Sequence, residues 1–362
     1  MKSQRILCVI GKMDSGGAET MLMKLFRVCK MKEIIFDFVV FTDEKGFYDD
    51  EIRALGGNIY QLGKRNPFIV LLRYIMLLRR NKYDFLIQST EQAHRAILAL
   101  IAKCCGAKKI IIRSTNSKTG RGILVDLLEL TLRWIPNLAA NVKIAPSIQA
   151  GNFLFGTRSK YSILHNGINT NEYKFDDNVC DEYRKKLNVQ DKFVVGHIGR
   201  FEKQKNHIFL IKVFREILKI RPQSVLVLVG SGSLKSHIKQ MASDLGISSK
   251  IIFLERRNDI PKLMMAMDVM IFPSLYEGMP NVVIEAQTTG LPCLVSDTVT
   301  DDCGLTNKVK FLSLKQMPST WAESACDVVE DNYNRHDSYK QIKAANYDIE
   351  DVANEFLNLF YK

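Results

Sequence analysis

The 362-residue sequence has no Cys-x-x-Cys pair and no His/Cys spacing of the ligand type, which excludes the zinc-finger and zinc-ribbon classes. It has no Asp-x-Asp and no His-Glu-x-x-His, and its six histidines are dispersed, so no metal cofactor is expected. No Gly-x-Gly-x-x-Gly follows a first strand-like run, which disfavours a dinucleotide-dependent dehydrogenase. No stretch approaches the ~20 apolar residues of a membrane span. The run Arg5–Ile10 is too short for a signal peptide, lacks a cleavage site and reads as a core strand. Among the eight cysteines, Cys104 and Cys105 are adjacent, which suits no ordinary disulfide; reduced thiols in a cytoplasmic setting are expected. Internal repeats and low-complexity segments are lacking, and Asp301-Asp302 is an isolated acidic pair whose default is solvation.

What is present is an ordinary globular balance, 25% charged and 46% apolar, at a length that suits two domains better than one. The net charge of +12 is uneven. Residues 1–170 hold 26 Lys+Arg against 13 Asp+Glu, whereas residues 171–362 hold 25 against 26. A basic half suits an anionic membrane, an anionic substrate or nucleic acid. Lys64, Arg65, Arg73, Arg79, Arg80 and Lys82 flank and punctuate the apolar stretch 67–78. That stretch reads either as a core-covering helix with a solvated charged face or as a peripheral membrane contact. Nucleic acid is not expected as a partner, because no motif and few aromatics accompany the basic residues.

Short β-branched runs alternate with longer amphipathic segments. Strands are predicted at Arg5–Ile10, Phe36–Phe41, Asn58–Gln61, Asp84–Gln88, Lys109–Ile112, Asn141–Ala145 and Tyr161–Leu164. The rhythm restarts at Phe193–Ile198, Ser224–Val229, Ile251–Leu254, Val269–Phe272, Pro292–Ser296 and Val309–Leu312. Helices are predicted between them, among others at Ala18–Lys30, Pro67–Arg80, Gln92–Lys103, Gly122–Arg133, His207–Ile220, Asn281–Thr289 and Thr320–Asp331. This pattern implies an α/β chain with two parallel-sheet, Rossmann-like domains. The first is placed at 1–168 and the second at 193–340, with a polar linker zone at 169–192. The amphipathic Ile349–Tyr361 segment, within 341–362, is expected to pack back on the first domain.

The most informative stretch is 277–297. Glu277 and Glu285 stand eight apart, with a loop between them turning into a helix. Pro280 and Asn281 are start signals, and Gly290 with Pro292 is a stop signal. A helix start offers unpaired N–H groups to a phosphate, and flanking carboxylates bind hydroxyls, which together suit a nucleotide-sugar. Gly199-Arg200 and Lys205-Asn206 follow the first strand of the second domain. Two cations there neutralise a diphosphate, or are simply solvated, and Lys203 reads as a surface residue. Gly230-Ser231-Gly232 is either a loop for close backbone approach or a turn. The loop Gly11–Glu19, with its Gly16-Gly17 pair, is a phosphate approach or a tight turn. His165-Asn166-Gly167-Ile168 is first a turn signal. Arg256 and Arg257 follow a strand end where a nucleobase could lie, and a surface role fits equally.

Taken together, these pieces resemble the retaining, GT-B-fold glycosyltransferases of family 4 (glycosyltransferase group 1), in the branch that builds bacterial exopolysaccharide and capsule. The matching elements are Gly16-Gly17-Ala18-Glu19, His165-Asn166-Gly167-Ile168, Gly199-Arg200 with Lys205-Asn206, and Pro273–Gly278 through Glu285-Ala286, the family's E-x7-E element. The resemblance covers essentially the whole chain. It implies two domains facing across a cleft and a metal-free transfer of sugar from a nucleotide-sugar, a UDP-sugar foremost, to a lipid-linked oligosaccharide at an anionic membrane surface. It implies that Glu277, Arg200 and Lys205 are catalytic. Donor contacts are implied for Gly17, Gly199, Gly230, Gly278, Met279, Pro280, Asn281, Val282 and Glu285, the last on the ribose. No cofactor beyond the nucleotide-sugar co-substrate is implied.

Two departures from the family pattern stand out. A histidine is usual after the fourth strand of the first domain, but the stretch there is Ile87–Gln92 and the next strand ends in Arg113–Asn116. Gln88, Thr90, His94 and Asn116 are the acceptor-side candidates. Glu255 stands where a small residue is usual. A non-catalytic partner subunit of another transferase and a nucleotide-sugar epimerase are the competing readings.

Overall fold

The computed structural model describes residues 4–14, 16–64, 66–116, 122–328 and 334–361. Ser15, Arg65 and the end of the segment read as Thr320–Asp331 lie outside the described residues. The chain divides into two compact units, residues 1–168 with 347–362, and residues 169–346.

The first unit holds a seven-stranded sheet: β1 (Gln4–Val9), β2 (Ile34–Val40), β3 (Ile59–Gln61), β4 (Phe85–Thr90), β5 (Lys109–Ser114), β6 (Val142–Ala145) and β7 (Ser162–Ile163). Every pairing is parallel, in the order β3-β2-β1-β4-β5-β6-β7. Alternation along β1 sends Ile6 and Cys8 to one face and Leu7 and Val9 to the other. The first face is covered by the Gly17–Lys30 and Ile349–Tyr361 helices, where the Phe36 ring stacks on Phe26 and tilts against Phe356. The second face is covered by helices Pro67–Asn81, Ile97–Cys104, Trp134–Ala139 and Ile148–Phe155. The return of Ile349–Tyr361 is locked by Ile168, whose N–H donates to the Tyr347 carbonyl and whose carbonyl accepts from Ile349 N. A Cβ on Gly167 would stand 2.5 Å from Ile349 Cδ1, so the turn-like sequence at 165–168 is the seat of that helix.

The second unit holds β8 (Phe193–Ile198), β9 (Ser224–Val229), β10 (Ile251–Leu254), β11 (Val269–Phe272), β12 (Cys293–Ser296) and β13 (Val309–Leu312), all parallel, in the order β10-β9-β8-β11-β12-β13. Both sheets reverse direction of winding beside their first strand, at β1/β4 and at β8/β11. Doubly wound sheets bind ligands beyond the carboxyl ends of strands at such a point.

Residues 169–192, read above as a linker zone, are part of this unit and carry a helix, Asp177–Lys186. Its apolar content is low, so periodicity does not reveal it. Local chemistry builds it: Asp176 caps Asn178 N and Val179 N at 2.9 and 3.1 Å. Tyr183 then donates to Asp259 (2.8 Å), and Arg184 bonds the Ala266 carbonyl and Asp268, both at 3.1 Å. Residues 341–346 likewise stay with the second unit, as the end of the helix Ser338–Ala344 and the turn after it. No described helix is long and apolar enough to cross a membrane.

Candidate active site

In the second unit, Gly199 follows β8 and Pro273–Glu277 follow β11, so both segments lie at the point where the winding reverses. A short 3-10 turn, Lys203–Lys205, lies against the Glu277 loop. Leu275 N donates to the Gln204 carbonyl (2.8 Å) and Gln204 Nε2 to the Tyr276 carbonyl (2.9 Å). This clamp brings Lys205 Nζ to 2.7 Å from Glu277 Oε1, with the two side chains only 13% and 11% exposed. The ammonium also lies 4.4 Å above the Phe272 ring, a favourable cation–π placement. The sequence reading gave these two residues separate partners, diphosphate and sugar; the structure joins them in one partly buried ion pair.

Arg200, by contrast, is exposed, and its carbonyl accepts from Glu202 N at 2.7 Å. Glu285 is half-buried, one turn inside the eight-residue helix Asn281–Thr288. Pro280 occupies the cap position of that helix and Asn281 is its first helical residue. No side chain caps this start, so the dipole end at Gly278, Met279, Pro280, Asn281 and Val282 is left to an anion. At the far end Gly290 turns left-handed (φ +68°), and Leu291 N bonds the Ala286 carbonyl at 2.9 Å. Gln287, unremarked in the sequence, is fully buried and ties the helix to the next loop. Its amide nitrogen bonds the Cys303 carbonyl (2.7 Å), and its oxygen accepts from Leu305 N and Thr306 N, both at 2.9 Å. Asp301 and Asp302 are exposed, in the short 3-10 turn Asp301–Cys303.

The glycines of the second unit have a specific task. A Cβ on Gly230 (φ +146°) would stand 2.1 Å from the Gly199 carbonyl oxygen, and one on Gly232 (φ +156°) 2.6 Å from that of Phe201. What these two glycines closely approach is the backbone of the neighbouring 199–201 loop. Gly199 itself abuts the Lys205 stem, 3.2 Å from where its Cβ would be. Arg257 grips Asp259 with two bonds of 2.7 and 2.6 Å, and Arg256 Nε bonds Ser231 Oγ at 2.7 Å. Glu255, the unusual large residue, turns outward onto Lys235 (2.6 Å).

Under the Lys205 turn lie two buried imidazoles, His197 and His207, which border the Gly199-Arg200 and Lys205-Asn206 elements but carry no ligand spacing of their own. His197 Nδ1 bonds the Ile271 carbonyl (2.8 Å), and His207 stacks on Phe201 at 4.2 Å and meets His197 edge-on at 4.6 Å. Burial, only partly offset by the Ile271 bond and reinforced by the Lys205 charge, pushes His197 down to about 4. Burial, then the charges of His197 and Lys205, pushes His207 down to about 2. Both rings are neutral in the folded protein, whereas an unfolded chain protonates them near pH ~6.5. The unfolded state therefore binds more protons below that pH. Stability is full above it and falls toward pH 4 by about 1.4 kcal/mol per pH unit for each ring. Urea midpoints measured from pH 7 to pH 5 are expected to fall accordingly, and to fall less in His197→Gln.

In the first unit, Gly17 is the first residue of the Gly17–Lys30 helix. Gln88 and Thr90 are buried at the end of β4 and serve the turn that follows. Gln88 Nε2 bonds the Arg95 carbonyl (2.8 Å), and Thr90 Oγ1 bonds both the Gln92 carbonyl (3.1 Å) and Gln92 N (2.9 Å). His94, on the 3-10 turn Ala93–Ala96, is half-exposed, and its Nδ1 lies 2.5 Å from Glu129 Oε1. The segment read as one helix from Gln92 is thus a 3-10 turn followed by an α-helix. Glu129 is a missed partner, legible only as a lone acid in the apolar run 127–130. Asn116 is half-exposed just beyond β5.

The comparisons with known proteins agree with this geometry. Residues 180–344 match the family described as glycosyl transferases group 1. The chain is 31% identical over 99% of its length, and 96% of the relative's, to the Bacillus subtilis (strain 168) protein named as glycosyltransferase EpsF. It is 28% identical to the Escherichia coli UDP-Gal:alpha-D-GlcNAc-diphosphoundecaprenol alpha-1,3-galactosyltransferase, over 75% of this chain and 74% of that one. Among solved structures, Anabaena HepE in complex with UDP and glucose superposes with a TM-score of 0.81 at 19% identity, covering 98% of both chains. The chain belongs to the group 1 glycosyltransferases, and its two Rossmann-like units are those of the GT-B fold.

Proposed function

We propose that the protein transfers a sugar, with retention of configuration and without a metal, from a UDP-sugar to a lipid-linked glycan in exopolysaccharide or capsule synthesis, at an anionic cytoplasmic membrane surface. The observation that carries the reading is the Lys205–Glu277 pair, held at the reversal point of the second sheet beside the exposed Arg200 and an uncapped helix start. Supporting it, the E. coli relative is named for a UDP-sugar donor and a diphosphoundecaprenol acceptor, and HepE was solved with UDP.

In this reading the entering diphosphate competes for Lys205 and draws the ammonium from Glu277. Glu277 is thereby freed to accept hydrogen bonds from donor-sugar hydroxyls, while Glu285 holds the ribose. The anomeric C–O bond to the diphosphate breaks, and the acceptor oxygen bonds to the anomeric carbon on the same face. The acceptor proton passes to the departing phosphate oxygen. Arg200, Lys205 and the helix start stabilise the leaving charge, which is the role a divalent ion would otherwise fill. Acceptor recognition is assigned to the first unit, with His94 and Asn116 as the residues to probe, since Gln88 and Thr90 are committed to the turn after β4, and Gly17 is kept as a donor contact.

The test is incubation with a panel of UDP- and GDP-sugars and lipid-diphosphate glycans. Turnover of a UDP-sugar that persists in excess chelator and yields an α-linked product from an α-linked donor is the expected result. Absence of any donor-dependent rise in melting temperature, or conversion of donor without acceptor, would sink it. A chain that turns over nothing yet co-purifies with another transferase would point to a partner subunit instead.

A further inference from the structure

The helix Ile123–Thr131 is built inside out. Its single buried side chain is Glu129, whereas Ile123 and Leu124 are 78% and 84% exposed and Leu127 and Leu128 also face outward. Spacing of i, i+1, i+4 and i+5 puts these four on one face. Burying such a side chain stabilises by roughly 1.5–3 kcal/mol, so four left in water mark a surface that is covered in the working protein. The polar anchor explains how this orientation is held: Glu129 accepts from His94 N and faces His94 Nδ1, so the apolar side is turned away from the protein.

This helix is not alone. It lies against the Ala93–Ala96 turn and the Ile148–Phe155 helix, on the side of the first sheet covered by the Pro67–Asn81, Ile97–Cys104 and Trp134–Ala139 helices. Most of the exposed large hydrophobic side chains among the described residues stand on this layer, including Trp134, Leu138, Phe68, Leu72 and Met76. On the opposite face, the Gly17–Lys30 helix turns Leu22, Leu25 and Phe26 inward. The layer's charge is lopsided. Arg73, Arg79, Arg80, Arg95 and Lys103 stand on its helices against Asp126 and the buried Glu129.

From this combination we infer that the outer surface of these helices inserts into the headgroup layer of an anionic bilayer, with the Ile123–Thr131 helix and Trp134 as its deepest part. An aromatic ring and long basic side chains around an apolar face suit the interface between headgroups and acyl chains. The sequence offers membrane contact only for 67–78, as one of two readings of that stretch. The structure shows Tyr74 and Leu78 of that helix buried in the core and only its outer side free, so that helix is one edge of a larger surface. This deepens the reading of a lipid-linked acceptor and rests on it for purpose, but vesicle binding needs neither donor nor acceptor.

The protein has two tryptophans, and Trp321 is fully buried, so emission changes on vesicle addition report Trp134. Flotation with phosphatidylglycerol-containing vesicles, and not with pure phosphatidylcholine vesicles, is expected, together with a blue shift of emission. Leu124→Glu with Leu128→Glu is expected to weaken vesicle binding at least tenfold while the melting temperature and its shift with a UDP-sugar stay as in the wild type. Trp134→Phe is expected to remove the blue shift and retain flotation. Failure of the wild type to float with anionic vesicles, or unchanged flotation of the double variant, overturns the proposal. So does conversion of a stable dimer to a monomer by the double variant, which would make the surface a protein interface. A protein that floats but shows no shift with any nucleotide-sugar would leave this surface standing and sink the functional reading.

Discussion

Lys205→Met is expected to lower kcat/KM by about two to three orders of magnitude, the range observed when one preorganised donor to developing charge is removed. The methionine keeps most of the stem that packs by Gly199 and removes the charge that would meet the diphosphate. It also leaves Glu277, 11% exposed, without its ion-pair partner. Removing one member of such a buried pair costs about 3 kcal/mol, which a unit of this size registers as several degrees of melting temperature. The two losses separate in the double variant. Lys205→Met with Glu277→Gln is expected to recover most of the melting temperature and none of the activity. Recovery of neither would mean that the packing of the 203–205 turn, and not the ion pair, sets local stability. Retention of wild-type kcat/KM by Lys205→Met would remove Lys205 from the chemistry.

The second large effect is expected at Gly230→Ala. Its Cβ would be 2.1 Å from the Gly199 carbonyl oxygen and 3.0 Å from the Gly199 carbonyl carbon, which are backbone atoms of a loop pinned by Gly199 N to Val229 and by Phe201 N to Ser231. Neither loop can yield without breaking those bonds, and the φ of +146° is itself unfavourable for alanine. A cost above about 4 kcal/mol is expected, at the far end of what single substitutions do. Gly246→Ala is the control. It has φ of +69° with nothing within 4 Å of its Cβ, so only the backbone term of about 1 kcal/mol applies. Urea unfolding of both variants checks the difference, and equal losses would refute the steric account. Because the displaced loop carries Arg200, any soluble Gly230→Ala is also expected to bind a UDP-sugar poorly.

The fold was legible because its parts are repetitive. All thirteen strands of the two sheets fall within a residue or two of apolar runs visible in the sequence, since strands buried on both faces need no alternation to be seen. What escaped is instructive. Asp177–Lys186 is polar, and its stability comes from a cap and from Arg184 and Tyr183 contacts more than seventy residues away. Ile148–Phe155 starts at Ser147, whose Oγ accepts from Ala150 N, but contains Gly151 and only two turns of pattern. At the site, residue types and spacing indicate Lys205, Glu277 and Glu285. They do not indicate that the first two touch, because that contact depends on the Gln204 clamp, a pair of hydrogen bonds across some seventy positions. Gln88 and Thr90 read as ligand-facing from their place after a strand. The structure spends their side chains on the following turn, which a sequence does not disclose. His197 and His207 carry no signal at all, since a buried neutral histidine resembles any other apolar-flanked one.

One feature of the first unit bears on how the protein is made. Its core is completed by Val352, Ala353, Phe356, Leu357 and Phe360, from the Ile349–Tyr361 helix, after the chain has already built the whole of the second unit. A ribosome therefore releases the amino-terminal sheet with one apolar face covered by the Gly17–Lys30 helix alone, and the rest of that face stays open until residues 349–361 have been made. The second unit is contiguous and meets no such delay. The order of folding is expected to invert the order of synthesis, with the later half consolidating first and the earlier half resting meanwhile on whatever shields exposed hydrophobic surface in the cell.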